Sequence, residues 1–165
     1  MADTETKHED LVITRIIDAP VDVVWKAWTE PEHIMKWWGP KDYTSPSCSV
    51  DLKEGGRYIF CMHAPDEQGG QDQYTAGTYT KILPKERLEF DQDNITDKDG
   101  TSIDPMSIGM PADFPKKNRM VVTFTPKGNL TEVIVTSYDW TPSQMFVYAM
   151  AGWHQSIDKL AASLS

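Results

Sequence analysis

Apolar positions along this chain change their spacing three times, which divides it into four stretches. From Leu11 to Asp18 they alternate loosely in a run rich in Val and Ile, so a first strand is predicted, ending at Ala19-Pro20. Val21, Val24, Trp25 and Trp28 then recur at three- and four-residue steps behind Pro20 and Asp22, the pattern of a short helix. Thr29-Glu30-Pro31-Glu32 reads as a capping box for a second short helix to about Lys36, stopped by Trp37-Trp38-Gly39-Pro40. From Tyr43 onward the period falls to two, and strands are predicted near 43–51, 56–63, 73–83, 86–92, 119–126 and 130–139. The turns between them are too short for crossover helices, so the sheet is antiparallel.

The fourth stretch, Thr141 to Ser165, is helical again. Phe146, Met150, Trp153, Ile157, Leu160 and Leu164 follow one another at steps of four, three, four, three and four, which keeps them on one face. Thr141 is the expected cap, with Pro142 at the first helical position and Gln144 completing a box. The expected architecture is therefore α+β: one N-terminal strand, two short helices, a curved antiparallel sheet of about six further strands, and a long C-terminal helix across its concave face. Residues 11–165 form a single domain, and residues 1–10 are expected to be a disordered segment. Only the connection Asp91 to Asn118 is long. Its second half, Pro105 to Pro115, carries enough apolar residues to predict an ordered flap.

Composition narrows the partners. With 16 basic against 25 acidic residues the formal net charge is −9, which repels nucleic acid and anionic membrane surfaces. No apolar run reaches the roughly 20 residues that span a bilayer, and the opening residues lack a signal peptide's pattern, so a cytoplasmic location and no membrane insertion are expected. The two cysteines fit no zinc pattern. If Glu54-Gly55 turns a tight hairpin, Cys48 faces Cys61; in a reducing compartment both are expected to remain thiols. Aligning Gly100 with the glycine of a calcium loop puts Ile95 and Met106 where carboxylates belong, and Gly69-Gly70 opens no helix, so no metal or phosphate site is expected. No cofactor is called for.

Candidate chemistry concentrates on one strand face and the closing helix. Tyr58, Phe60 and Met62 share a face by period two, and with Trp38, Tyr79, Met150 and Trp153 they form either an aromatic and thioether pocket wall or a plain core. His154 falls at the boundary of the helix's buried face, where Asp158, four residues on, is placed to orient it as an acid, base or head-group donor; the alternative is an exposed His-Asp pair. Arg57 and Arg119 are candidates for anion contact, or else solvated strand ends.

Several motifs in order also resemble a known family. Ile17-Asp18-Ala19-Pro20 with Val24-Trp25, Thr29-Glu30-Pro31-Glu32, Trp37-Trp38-Gly39-Pro40, the run Asp51 to Arg57, Gly77-Thr78-Tyr79, Pro84 to Leu88, Gly109 to Pro115 and Gly152-Trp153 are similar to those of activator of Hsp90 ATPase homologue-like proteins, in the START-like (SRPBCC, Bet v-like) superfamily. The resemblance covers residues 11–164 and implies a helix-grip fold whose helix and sheet enclose a pocket for an apolar or amphipathic small molecule. The ligand-binding residues then expected are Trp38, Tyr58, Phe60, Met62, Tyr79, Met150, Trp153 and His154. Two other readings go with the family: a chaperone-associated or stress-response module that contacts a protein partner through the flap, and a cyclase- or hydrolase-type enzyme using His154 and Tyr79.

Overall fold

The computed structural model describes residues 8–164. It contains strands β1 (Glu9–Ile17), β2 (Cys48–Val50), β3 (Arg57–His63), β4 (Asp72–Leu83), β5 (Arg87–Thr96), β6 (Lys117–Lys127) and β7 (Leu130–Trp140), and helices α1 (Val21–Thr29), α2 (Pro31–Ile34) and α3 (Gln144–Ser163). The first seven residues of the expected disordered opening lie outside the described part, and Glu9 and Asp10 already belong to β1.

All seven strands pair in one antiparallel sheet ordered β1-β7-β6-β5-β4-β3-β2. β1 and β2 therefore occupy opposite edges, and α1 and α2 carry the chain from one to the other. A meander then returns it, strand by strand, until β7 lies beside β1. The pairing of β4 with β5 slips at Tyr74/Ala76 and again at Tyr79/Lys81, and such bulges increase local twist and bend the sheet. At Gly77 an added Cβ would stand 2.5 Å from both the Asp91 carbonyl and the Tyr58 hydroxyl oxygen, so only glycine lets the Tyr58 ring lie across β4.

The core fills the concave side. Trp25 and Trp28 of α1 meet Phe124 edge-on at 5.3 and 6.3 Å, and Trp28 continues into Trp37 at 4.7 Å. The Trp37 indole N–H donates to the Ala27 carbonyl at 2.9 Å, tying the segment after α2 back to α1. α3 buries Phe146, Ile157 and Leu160 and half-buries Met150, Trp153 and Leu164, the stripe its spacing predicts. Each fully buried side chain contributes about 1.5–3 kcal/mol. This burial, rather than helix propensity, holds α3 down.

Four local expectations are corrected. Ser143, not Thr141, caps α3, its hydroxyl accepting from the Phe146 N–H at 3.3 Å; the helix starts two residues later because Ser143 has the extended backbone a cap needs. Thr29 caps nothing: it ends α1, where its hydroxyl donates to the Trp25 carbonyl, and α2 begins behind Glu30 without a side-chain cap and stops at Ile34. The strand expected over 43–51 shrinks to β2 plus a bridge from Thr44 to His63, since Pro46 has no N–H to give and the Ser45 hydroxyl takes the Cys61 carbonyl. Finally, Cys48 pairs with Phe60 rather than Cys61, a register one residue from that expected.

Candidate functional site

A cavity of about 580 Å³ lies beneath the N-terminal half of α3, at the end of the sheet where the flap folds over. α3 supplies Met145, Tyr148, Ala149, Gly152, Trp153 and Ser156. The loop after α2 adds Trp38, Gly39, Pro40 and Tyr43, and the strands contribute Met62, Asp72 to Thr75, Gln92, Asn94 to Thr96, Ser137 and Trp140. Ile108, Met110 and Phe114 close it from the flap, with Ile103 just ahead of that segment. Ile108 and Tyr148, both more than half exposed, form the rim.

Each wall is positioned by identifiable bonds. The Ser156 hydroxyl donates to the Gly39 carbonyl at 2.8 Å, and Lys159 donates to the carbonyls of Pro40 and Tyr43 at 3.2 and 3.0 Å, so α3 grips the loop that carries Trp38. Burial holds the Lys159 ammonium below its ordinary pKa, partly offset by Asp42. Phe114 meets Trp140 edge-on at 6.1 Å, and Trp140 meets Phe146 at the same distance, so the flap docks on the start of α3.

Behind the flap runs a chain of neutral amides. Tyr58 donates to Gln92 at 2.9 Å, Gln92 to Asn94 at 3.2 Å, and Asn94 both to Asn118 at 2.6 Å and to the Pro115 carbonyl at 2.9 Å; Asn118 continues to the Tyr138 carbonyl at 2.7 Å. Burial, then the neighbouring Tyr79, pushes the Tyr58 phenol well above its ordinary pKa, so it stays a neutral donor. Gln92 and Asn94 continue the inward phase of Leu88 and Phe90 along β5. Sequence reasoning missed Asn94 because it ended that strand at residue 92, and passed over Gln92 as a polar residue at a strand end. The signal that could have found them was the phase itself.

The sequence-predicted site residues divide into three groups. Trp38, Met62 and Trp153 line the cavity. Tyr58, Phe60 and Tyr79 do not: they stack on one another and on Phe90 at 4.4 to 6.1 Å and surround a separate inner void of about 10 Å³, together with Trp28, Trp38, Gln92 and Trp153. They sit farther along the sheet, under the tryptophan layer, so the strand face read as a pocket wall is mostly core. Met150 packs half-buried against the core, and His154 is exposed; neither lines the cavity. Asp158 does not orient His154, because it pairs with Arg15. His154 and Tyr79 thus share no pocket.

Arg119 is engaged by Glu89 at 2.8 Å and lies 5.0 Å from the Tyr138 ring, while Arg57 holds the Gly100 carbonyl at 2.6 Å and Asp93 at 3.6 Å. Both guanidinium groups are spent on the sheet. Burial, reinforced by Glu32, pushes the Cys48 thiol up to about 12, and Cys61 is also raised by burial. Neither is an activated nucleophile. Among the described residues, no helix is long and apolar enough to cross a membrane.

Residues 18–165 match the family described as activator of Hsp90 ATPase homolog 1-like protein. Among solved structures, a Nitrosomonas europaea protein is 25% identical, with 93% of this chain and 92% of that one covered at a TM-score of 0.72. An AHSA1-like protein from Aeromonas hydrophila is 26% identical over 95% and 96% of the two chains, with a TM-score of 0.68. An AHSA1 protein from Silicibacter pomeroyi, 20% identical over 94% and 97% at a TM-score of 0.72, shares the fold. No functionally curated protein matches the chain.

Proposed function

Because this chain belongs to the activator of Hsp90 ATPase homolog 1-like family, with the helix-grip fold of its relatives, we propose that it binds an apolar or amphipathic small molecule in the cavity beneath α3. The observation that carries this reading is the cavity itself. Its volume falls in the usual range of ligand sites, roughly 300–1,000 Å³, and its walls are mostly aromatic, aliphatic and thioether. Trp38, Met62 and Trp153 are the proposed contacts. Tyr58, Phe60 and Tyr79 stand behind them as support, and Met150 and His154 contribute through the helix rather than by touch. The proposed setting is the cytosol, where the thiols remain reduced.

Thermal unfolding in the presence of fatty acids, sterols and polyphenols tests the proposal. A ligand at a hundred times its Kd stabilises by about 2.7 kcal/mol, roughly 5 to 10 °C for a chain of this size. Ala149→Phe, which places a ring in the cavity, should remove that shift. If no compound in any class stabilises the protein, the reading fails.

A second reading, a chaperone or other protein partner, is favoured by the exposed apolar side chains Met106, Ile108, Val147 and Tyr148, on the flap and the first turns of α3. Binding of a purified chaperone, weakened at least tenfold by Met106→Ser with Ile108→Ser, would support it. Equal binding by the double variant would count against it.

A further inference from the structure

We infer that the cavity selects an uncharged molecule bearing a hydroxyl group and rejects the carboxylate of the same shape. This rests on the ligand-binding reading and names the class of ligand. Among the described residues, no Lys, Arg or His lines the cavity, and the one charged group that does is the Asp72 carboxylate at its edge. Of the cations on the surrounding elements, Lys159 is committed to the Pro40 and Tyr43 carbonyls, Arg57 to Gly100 and Asp93, and Arg119 to Glu89, while Lys41 and His154 are exposed and outside the lining. His63 faces Asp72 at 2.6 Å and holds it at the rim. An anion entering this space gives up its hydration and meets no opposite charge.

The polar walls add a second preference. A hydroxyl has one proton to give, and Ser156 gives its proton to Gly39, Thr75 to Asn94 and Thr96 to Asp97, in each case to a backbone carbonyl. Asn94 spends both amide protons on Pro115 and Asn118. What these side chains still offer is lone pairs. A ligand hydroxyl can donate to them and also accept from the Ser137 hydroxyl or the second Gln92 amide proton, which no other group takes among the described residues, whereas an ether or a carboxylate can only accept and leaves those lone pairs unmet.

Calorimetric titration of the full chain with 2-naphthol, 2-methoxynaphthalene and 2-naphthoate separates these effects on one aromatic frame. The naphthol is expected to bind at least threefold more tightly than the ether and at least tenfold more tightly than the carboxylate. Asp72→Asn should improve the carboxylate several-fold more than it changes the naphthol. Carboxylate or ether affinity equal to or above that of the naphthol would overturn the selectivity while leaving the ligand-binding reading intact. Failure of all three to bind, joined by failure of the wider panel, would remove both.

Discussion

The indole rings of Trp38 and Trp153 meet edge to face, 5.5 Å between centroids, and both rings line the large cavity as well as the small inner void. They act as a partition. Trp153 reaches it from α3 and also stacks on Trp28 at 6.3 Å, with the planes 12° apart, so removing its ring should join the two spaces. Trp153→Ala is expected to cost about 2 kcal/mol in urea unfolding, less than the roughly 3–5 typical of a fully buried ring because Trp153 is only partly buried. Ligands longer by several methylenes should gain affinity. An unchanged length preference would show that the rings do not limit the cavity.

Gly77 gives a sharper test of the core beneath that partition. A methyl group there runs into a backbone carbonyl, which cannot swing aside, and into the Tyr58 ring that donates to Gln92. Gly77→Ala should therefore destabilise by about 3 kcal/mol, the upper end of overpacking costs. Tyr58→Phe should cost about 1–2 kcal/mol, by leaving Gln92 without its donor. If Gly77→Ala unfolds at the wild-type midpoint, the close approach of β3 and β4 is not as described.

What could be read from residues alone, and what could not, follows from how local each signal is. The stripe Phe146, Ile157, Leu160 needs only its own spacing, and the strands announce themselves by alternation, so the sheet and its closing helix were legible. The cap on α3 was not, because Thr141 and Ser143 both precede apolar residues and the choice rests on backbone angles. The Cys48 register turned on one residue of a Gly-containing loop. The cavity was legible only in part. Its walls come from chain segments far apart in sequence, and Gln92, Asn94 and Thr96 look like surface residues until β5 is seen to carry them inward. Tyr58 and Phe60 looked like a wall because period two identifies a face but cannot say what covers it.

The Cys48 register carries its own consequence. With Cys48 opposite Phe60 and both thiols free, reductant should leave the thermal midpoint unchanged. Reaction with a thiol reagent near neutral pH should also be far slower than for a free cysteine, since a thiol pushed up to about 12 holds almost no thiolate there. A midpoint that falls on adding reductant would reveal a bond this geometry does not provide.

Acid stability should report on Glu89. Its carboxylate accepts from Arg119 at 2.8 Å and from Arg87 at 2.6 Å, and these bonds, Arg119's first, hold its pKa below the ordinary value of 4.5. A depressed carboxylate favours the folded state above its unfolded pKa, and the benefit is lost as pH falls through the lower folded value. Urea midpoints taken from about pH 7 to about pH 3 should therefore drop less steeply below 4.5 in Glu89→Gln than in the wild type, with the variant weaker at neutral pH. Parallel curves would mean that the two arginines contribute nothing measurable across β5 and β6.

Asn94 links the sheet to the flap, and through it stability to access. One amide group donates both to Asn118 on β6 and to the Pro115 carbonyl at the flap's end, while its oxygen accepts from Gln92. Asn94→Ala removes three hydrogen bonds, two of them to the buried side chains Gln92 and Asn118, so a loss of about 2 kcal/mol is expected, within the usual cost of unsatisfied groups. The more telling effect should be local. The 103–114 segment, held otherwise by the Phe114–Trp140 contact and by the Ile103 N–H donating to the Ile95 carbonyl, should exchange its amide hydrogens at least tenfold faster from 105 onward while β6 and β7 change little beyond the global loss. Ligand dissociation should accelerate with it, since Ile108, Met110 and Phe114 close the cavity from that segment. Uniform acceleration across the whole chain would make Asn94 a general stabiliser and leave the flap without its latch.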